Sequence, residues 1–308
     1  MTTLLYAHPV FGDHDTGPGH PEQPARAAAV LEGLSGMALE RRDAPEVAPE
    51  AVARAHGPDF LGALLARAPE QGLCFIDTDT VMSPASPEAA LRAAGAVVAA
   101  VEAVVAGAAA NAFCAVRPPG HHAERHQAMG FCLLSNAAIG ALHALTLPGI
   151  ERVAVLDFDV HHGNGSQDIL APDPRVFFAS SHQMPLYPGT GAPHEHGPHG
   201  TVRNGALAPG AGSFEFRAMW ERQLLPAAER FAPDLVIVSA GFDAHRADPL
   251  ASIELETADF AWITGAICEL AEATAGGRVV STLEGGYDLA ALAASAAAHV
   301  GELQERGA

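Results

Sequence analysis

The feature that most constrains the fold is the regular alternation of two kinds of segment along the chain. Short apolar runs rich in β-branched and aromatic residues each end in a polar or glycine-rich segment, and they alternate with stretches of helical periodicity. The apolar runs cover residues 4–8, 112–116, 153–160, 176–181, 235–241 and 279–286. The helical stretches cover residues 24–34, 87–107, 135–147, 214–231 and 257–273. This alternation predicts an α/β fold in which a parallel β-sheet is sandwiched between α-helices.

The chain is predicted to form a single domain over residues 1–308. A length of 308 residues suits one large α/β sheet, and 49% hydrophobic residues are enough for a substantial core. No internal repeat and no Ser/Gly linker divides the sequence. The Pro/Gly/His-rich segment 184–212 is predicted to be a long, functional loop.

Charge and cysteine content limit the partners and the compartment. The formal net charge of −19 disfavours nucleic acid and favours cationic ligands, although many acidic proteins carry such a charge only to stay in solution. The alanine-rich segment 89–112 is interrupted by Arg92 and Glu102, so it predicts a buried helix and no membrane span. The four cysteines form no C-x-x-C pair, and the N-terminus does not resemble a secretory signal, which together favour the cytoplasm.

Polar residues with catalytic potential are concentrated where the predicted strands end. The strands are followed or closed by RPPGHH, DFDVHHGN, SAGFDAH and LEGGYD. Open parallel sheets bind ligands beyond the carboxyl ends of their strands. These motifs are therefore predicted to meet in one cleft.

The DFDVHH motif is the first candidate for a metal site. Asp157, Asp159 and His161 are spaced two residues apart, so a strand would point all three side chains to one face. Carboxylates in an apolar interior need compensation, and a bound cation supplies it. Catalytic zinc takes three ligands from His, Asp and Glu, and Asp243 in SAGFDAH could join Asp159 and His161. A hydrogen-bond cluster and a magnesium or manganese site remain alternatives on these residues alone.

Two further motifs suit proton transfer and oxyanion stabilisation. His121 and His122 follow two prolines that exclude a helix, and imidazole, with a pKa of ~6.5, can both take and return a proton in amide hydrolysis. Tyr287 follows Gly285 and Gly286, which permit a tight turn that presents the phenol to the cleft. Taken alone, surface histidines are common and a tyrosine after two glycines is more often packed in a surface loop, so the combination carries the prediction.

Taken together, the motifs resemble the histone deacetylase family in its class II and bacterial histone deacetylase-like amidohydrolase form, within the arginase/deacetylase superfamily. The resemblance rests on HPEQPAR, RPPGHHAE, GFCLLSN, LDFDVHHGNG, YPGTG, SAGFDAHRADPL and LEGGYD, which extend over nearly the whole chain. It implies the arginase/deacetylase fold and a zinc-dependent deacetylase. The implied substrate is acetyl-lysine or a small acetylated amine such as an acetylpolyamine, which would be hydrolysed to acetate and the free amine.

The resemblance also implies roles for individual residues. The implied zinc ligands are Asp159, His161 and Asp243. The implied catalytic residues are His121, His122, Asp157, Asn164 and Tyr287. Among these, His122 matches the general base and acid, Asp157 orients His121, and Tyr287 stabilises the transition state. Asn164 matches the partner of His122, where class I members carry aspartate. Because an amide adds no negative charge, we expect His122 to be less basic than it would be beside an aspartate.

A substrate tunnel and a second ion are implied in the same way. The implied substrate-binding residues are Gly130, Phe131, Tyr187 and Leu250. Phe131 and Tyr187 match the aromatic pair that walls the acyl-lysine tunnel. Leu250 matches a rim position, where leucine in place of an acidic residue argues against strict acetylpolyamine specificity. Family members also bind potassium beside the zinc, through groups that include Asp157, Ser180 and Ser181.

Two other functions stay open as alternatives. A binuclear manganese ureohydrolase would share the fold but would need further bridging carboxylates, and Asp243 is followed by Ala-His in place of the D-x-D that a second metal would require. A catalytically silent module that binds acetylated amines would need no acid, base or oxyanion donor. The sequence leaves the physiological substrate and the oligomeric state open.

Overall fold

The centre of the molecule is an eight-stranded sheet, which a computed structural model describes together with its surroundings over residues 2–307. The strands of this sheet are β1 (Thr3–Ala7), β2 (Glu40–Asp43), β5 (Asn111–Cys114), β6 (Val153–Asp157), β7 (Val176–Gln183), β8 (Val202–Leu207), β9 (Leu235–Ala240) and β10 (Val279–Leu283). Their order is β2-β1-β5-β10-β9-β6-β7-β8, and every pairing is parallel. A separate antiparallel pair is formed by β3 (Cys74–Phe75) and β4 (Val81–Met82). The predicted α/β fold is thereby confirmed.

Helices cover both faces of the sheet. They are α1 (Ala25–Gly33), α2 (Pro49–Ala55), α3 (Phe60–Leu65), α4 (Ser86–Val105), α5 (Asn136–Ala144), α6 (Asn164–Leu170), α7 (Ser213–Met219), α8 (Leu225–Phe231), α9 (Thr257–Thr274) and α10 (Leu289–Gly307). A π-helical turn (Trp220–Leu224) joins α7 to α8, and a 3₁₀ turn (Pro9–Gly12) follows β1. The hydrophobic cluster on one face includes α2, α4 and α5, and the cluster on the other includes α1, α9 and α10.

The buried strands explain the continuous apolar runs in the sequence. In β6, Val153 and Val155 belong to one hydrophobic cluster, whereas Ala154 and Leu156 belong to the other. A strand covered on both faces needs apolar residues at every position, so its sequence does not alternate with polar residues. The carboxyl ends of these strands therefore form a fixed edge of the sheet, and the polar loops extend from this edge.

Some predicted boundaries are wrong, and the reasons are local. Segment 184–212 is not a single loop, because its second half contains β8. The prediction also omits β2, whose sequence ERRD is largely exposed at the sheet edge, and the alanine-rich α10. Edge strands can be charged, so they lack the apolar signal of a central strand. No helix within residues 2–307 is long and apolar enough to cross a membrane, and α4 is largely buried against the sheet, as predicted.

Candidate active site

Four neighbouring strands at the centre of the sheet carry the predicted motifs at their carboxyl ends. In the order β5, β10, β9 and β6, they lead into RPPGHH, EGGYD, GFDAH and FDVHHGN. Because the strands are parallel and adjacent, the segments that follow them lie at one edge of the sheet. The predicted meeting of these motifs is what the structure shows.

Asp159, His161 and Asp243 form a buried cluster at this edge. The His161 Nδ1 atom lies 3.0 Å from Asp243 Oδ2 and 3.1 Å from Asp159 Oδ1. One ligand atom from each residue lies within 4.8 Å of the others, so the three residues could hold a metal ion. Burial, together with the charge of Asp159, raises the pKa of Asp243 to about 7. A cation bound between the two carboxylates would offset this repulsion.

A backbone turn brings these ligands together, whereas the sequence predicts a continuous strand. The strand β6 ends at Asp157, so Asp159 and His161 lie beyond it. Asp157 Oδ1 accepts a hydrogen bond from the Asp159 N–H at 3.0 Å, and Asp159 Oδ1 accepts one from the His161 N–H at 2.9 Å. Asp243 Oδ1 accepts from the Val160 N–H at 2.8 Å. The expectation that strand alternation aligns the three side chains is therefore wrong, and carboxylate-to-backbone hydrogen bonds align them instead.

Two glycines leave room for the carboxylates. A Cβ atom on Gly241 would lie 2.0 Å from Asp159 Oδ2, and one on Gly285 would lie 2.1 Å from Asp243 Oδ2. The Gly285 N–H also donates to Asp159 Oδ2 at 2.8 Å. Glycine at these positions lets the backbone approach the cluster closely.

The two adjacent histidines have opposite electrostatic surroundings, although their ring centroids are 4.0 Å apart. His121 Nδ1 lies 3.0 Å from Asp157 Oδ2. Burial lowers its pKa, but the charges of Asp159 and Asp157 outweigh burial and raise the pKa well above the ordinary histidine value. Burial lowers the pKa of His122 well below that value, and the neighbouring charge of His121 lowers it further. One imidazole is therefore held charged and the other neutral.

Asn164 determines which nitrogen of His122 carries the proton. The Asn164 Nδ2 group donates to Glu124 Oε1 at 2.7 Å, which turns its Oδ1 atom towards His122 Nδ1 at 2.7 Å. Because the amide oxygen can only accept, His122 Nδ1 must donate and its Nε2 atom is left as an acceptor. Glu124 is the last residue of the RPPGHHAE motif, but its contact with Asn164 joins residues 40 positions apart and has no signal in the sequence.

A pocket of about 230 Å³ opens above the cluster. Its lining residues are Asp79, His122, Gly130, Phe131, His161, Leu186, Tyr187, Leu250 and Tyr287. Burial raises the pKa of Tyr287 well above its ordinary value, and the nearby Asp243 charge contributes, so the phenol keeps its proton. The Arg26 guanidinium carbon lies 5.0 Å from the centroid of the Tyr287 ring. All four residues predicted to bind substrate line this pocket.

The pocket walls are held in unusual backbone positions. Phe131 has a φ of 67°, a conformation that non-glycine residues rarely adopt, and its N–H donates to Thr80 Oγ1 at 3.1 Å. A Cβ atom on Gly130 would lie 2.6 Å from the His122 ring. The Tyr187 ring meets His122 edge-on, with ring centroids 5.1 Å apart. The histidine thus forms part of the wall.

The two serines predicted near potassium face different directions. Ser180 pairs with Asp157 across β6 and β7, and its Oγ atom lies 2.9 Å from His182 Nδ1. The Ser181 hydroxyl accepts a hydrogen bond from Trp220 Nε1 at 3.0 Å. Because successive side chains of a strand point to opposite faces, a contribution of Ser181 to a cation beside the Ser180 hydroxyl would come from its backbone carbonyl.

Several charged residues that support the site were not singled out from the sequence. Glu22 is fully buried and accepts from Arg26 Nη1 at 2.8 Å and from Arg117 Nη2 at 2.7 Å. Asp248 Oδ2 accepts from the Tyr287 N–H at 2.7 Å. Glu22 lies in the HPEQPAR motif and Asp248 in SAGFDAHRADPL. The sequence therefore shows a charged residue within each motif, but not what that residue contacts. Their roles depend on contacts between distant segments, which spacing does not reveal.

The sheet and the pocket beyond its carboxyl edge place the chain among α/β enzymes whose active site lies at the strand ends. The profile of the histone deacetylase domain matches residues 20–303. The chain therefore belongs to the histone deacetylase family, a family of hydrolases, and the resemblance seen in the motifs is confirmed.

Named relatives and a solved structure agree with this assignment. The histone deacetylase-like amidohydrolase of Pseudomonas aeruginosa is 40% identical over 277 residues, which cover 87% of this chain and 73% of that protein. The polyamine deacetylase HDAC10 of Mus musculus is 36% identical over 292 residues, which cover 89% of this chain and 43% of that protein. The crystal structure of the HDA15 HD domain matches with a TM-score of 0.91 and 33% identity, covering 98% of this chain and 90% of that one.

Proposed function

We propose that the chain is a zinc-dependent deacetylase that hydrolyses the amide of an acetylated amine to acetate and a free amine. The observation that carries this proposal is the arrangement in and below one pocket. The Asp159-His161-Asp243 cluster, a histidine kept neutral and a buried tyrosine hydroxyl lie together there. Ligand binding alone would not require a base and an oxyanion donor beside a metal-ligand cluster.

Zinc suits the donor set of the cluster. Catalytic zinc sites use three protein ligands drawn from histidine and carboxylates, whereas magnesium and calcium prefer oxygen ligands only. Asp159, His161 and Asp243 would hold the ion, which when bound polarises a substrate carbonyl and acidifies the attacking water.

His122 is the proposed base. Its Nδ1 atom is occupied by Asn164, so the unprotonated Nε2 atom is free to take a proton from the attacking water. The low pKa of His122 keeps it in the neutral form that this step requires. His121 stays protonated beside Asp157, and the proton that reaches the departing amine comes from His122 or His121.

Tyr287 is the proposed oxyanion donor. Its raised pKa keeps the hydroxyl protonated, so the hydroxyl can donate to the oxygen that becomes negative in the tetrahedral intermediate. The Tyr287 backbone N–H bonds to Asp248, which fixes the start of the segment that carries the ring.

The pocket supports a substrate with an acetylated amine on a flexible chain. Phe131, Tyr187, Gly130 and Leu250 would surround the methylene groups, while the remainder of the substrate stays at the mouth. Acetyl-lysine in proteins and small acetylated amines such as acetylpolyamines both meet this description. The acidic net charge favours their cationic forms.

A structural potassium ion beside the cluster is part of the proposal. Asp157 and Ser180 would contribute side-chain oxygens from neighbouring strands, and Ser181 its carbonyl. We also propose that the catalytic domain spans residues 1–308 and acts in the cytoplasm, which suits its four free cysteines. The proposed partner is the acetylated amine, without nucleic acid. The oligomeric state is left open.

The deciding experiment combines metal counting with a substrate panel. The chain is loaded with zinc, and acetate release is followed for acetyl-lysine peptides and acetylpolyamines by kcat/KM. One zinc per chain with acetate release supports the proposal. Two manganese ions with hydrolysis of a guanidino substrate would point to a ureohydrolase, although residues 2–307 contain one cluster of three convergent ligands. Binding of acetylated amines without acetate release would point to a silent module.

A further inference from the structure

Glu284 is a buried carboxylate that lies outside the pocket and has no part in the mechanism above. It directly follows β10 and is fully buried. Its Oε2 atom accepts hydrogen bonds from the Gly120 N–H at 2.6 Å and from the His121 N–H at 3.1 Å. Its Oε1 atom accepts from the Ser239 hydroxyl at 3.1 Å. One side chain therefore joins the loop after β5 to the carboxyl ends of β10 and β9.

The segment that contains Gly120 and His121 lies outside the sheet, so the hydrogen bonds of the sheet do not hold it. The strand β5 ends at Cys114, so Gly120 and His121 lie in a loop after two prolines. Buried N–H groups outside regular structure need an acceptor, and within residues 2–307 Glu284 is the acceptor for both. Besides the side-chain contacts of the two histidines, the position of the pair thus depends on a side chain from the segment after β10.

Glu284 itself lies in a segment that is fixed relative to the rest of the site. Its N–H donates to the Ala240 carbonyl at 2.9 Å, and the next N–H, of Gly285, donates to Asp159 Oδ2 at 2.8 Å. Arg26 donates to the carbonyls of Glu284 and Gly286 at 2.5 and 2.6 Å. A hydrogen bond to Glu284 therefore places a group relative to both the metal-ligand cluster and the tyrosine that follows.

We propose that Glu284 is a positioning residue that keeps His121 and His122 in register with Tyr287 and the Asp159 cluster. It acts as an acceptor for two backbone N–H groups and does not touch the substrate, since it does not line the pocket. The inference rests on the proposed function only for its effect on turnover. The hydrogen bonds from the Gly120 and His121 N–H groups to Glu284, here called the clamp, can be tested without reference to activity.

The acceptor role can be separated from the charge of the carboxylate. A glutamine at this position keeps one oxygen for the Gly120 and His121 N–H groups and can donate its NH₂ to the Ser239 hydroxyl oxygen. Glu284→Gln thus removes the charge and preserves the clamp, whereas Glu284→Ala removes both. Asp234→Asn is the matched control, because Asp234 also accepts from two backbone N–H groups, those of Glu151 and Arg152, at the opposite end of β9.

The experiment measures the amides and the chemistry of the same proteins. Amide proton shifts and hydrogen exchange of Gly120 and His121 are recorded by NMR on the zinc-loaded wild type, Glu284→Gln, Glu284→Ala and the control. Zinc content and kinetics on an acetyl-lysine peptide follow. In Glu284→Ala we expect exchange at both amides to rise about 100-fold. We expect kcat to fall about 10- to 100-fold, with KM and zinc content nearly unchanged.

Glu284→Gln should keep both amides protected and kcat within about threefold of wild type, and Asp234→Asn should leave the Gly120 and His121 amides and kcat unchanged. Loss of kcat in Glu284→Gln equal to that in Glu284→Ala would overturn the inference in favour of a charge effect. Unchanged amides in Glu284→Ala would overturn it directly. If Glu284→Ala does not fold, exposed amides in Glu284→Gln overturn it and protected amides support it. A wild type without deacetylase activity would refute the proposed function, yet the amides would still test the clamp.

Discussion

The two ends of β9 carry an aspartate each, and they differ in what surrounds the carboxylate. Asp234 precedes the strand, is partly exposed and accepts hydrogen bonds from the N–H groups of Glu151 and Arg152, both at 2.9 Å. Asp243 follows the strand, is fully buried and meets His161 at 3.0 Å. Both use backbone N–H groups, but only Asp243 also meets other metal-ligand side chains. A carboxylate at a strand end therefore indicates a candidate metal site when it is buried and lies close to other ligand side chains.

The cavities at the amino and carboxyl ends of the central strands also differ in the side chains that surround them. A cavity of about 430 Å³ lies at the amino ends of β5 and β10, between segments 104–110 and 276–278, and its charged lining residues are Arg278 and Arg306. The pocket at the carboxyl ends has about 230 Å³ but is lined by His122, His161 and Tyr287. Among residues 2–307, the lining of the larger cavity contains no convergent catalytic groups. The chemical groups that line a cavity therefore identify the active site better than the volume of the cavity does.

The sharpest way to break this comparison is to neutralise the two aspartates in turn. Asp243→Asn should abolish tight zinc binding and lower kcat/KM by about 10³-fold or more, since a catalytic metal supplies several kcal/mol of transition-state stabilisation. Asp234→Asn should leave both zinc content and kcat/KM unchanged. Zinc is counted by elemental analysis and activity by acetate release. Equal effects of the two variants would show that the contrast between the ends has no functional meaning.

The next largest effect is expected at the tyrosine. Tyr287→Phe removes one hydroxyl donor from the pocket while the ring contact with Phe131 can persist. We expect kcat to fall about 10²- to 10³-fold, as for other oxyanion donors, with KM and zinc content little changed. Steady-state kinetics and metal analysis on the same preparation check this. Turnover equal to the wild type would refute the assigned role.

A smaller effect is expected at the mouth of the pocket. Leu250→Glu adds a carboxylate where a distal ammonium group of a polyamine could lie, so kcat/KM for an acetylpolyamine relative to an acetyl-lysine peptide should rise about 2- to 5-fold. Leu250→Gln is the control for size without charge and should not change the ratio. An unchanged ratio in Leu250→Glu would mean that the distal amine does not approach this residue.

The central part of the fold could be predicted because its strands are buried on both faces. The apolar runs that became β6 and β9 carry that signal, and the polar residues that follow them identify the site. The edge strands β2 and β8 could not be found in this way, since they contain polar residues. The sequence predicts a strand beyond Asp157 because spacing by two residues suits both a strand and this turn, and only the hydrogen bonds distinguish them. The roles of Glu284 and Glu124 depend on contacts made by the folded chain.

The smallest and most specific effect concerns the partner of His122. An aspartate at position 164 would favour the imidazolium, so Asn164→Asp should raise the pKa of His122. Because the base must be neutral, the acidic limb of the kcat/KM profile should move to higher pH. In the single variant, however, the new carboxylate would face Glu124 Oε1, which now accepts from the amide at 2.7 Å, and the two acids would share a proton. That proton would weaken the charge beside His122.

The double variant Asn164→Asp, Glu124→Gln therefore sharpens the comparison between the two histidines. The amide introduced by Glu124→Gln could donate to the new aspartate and leave it ionised, so His122 would acquire a charged partner, as His121 has in Asp157. The acidic limb should move further than in the single variant, while Glu124→Gln alone, in which glutamine still accepts from Asn164, should not move it. A pH profile of kcat/KM for the four proteins tests this order. Coincident acidic limbs would mean that the charge of the partner does not set the basicity of His122.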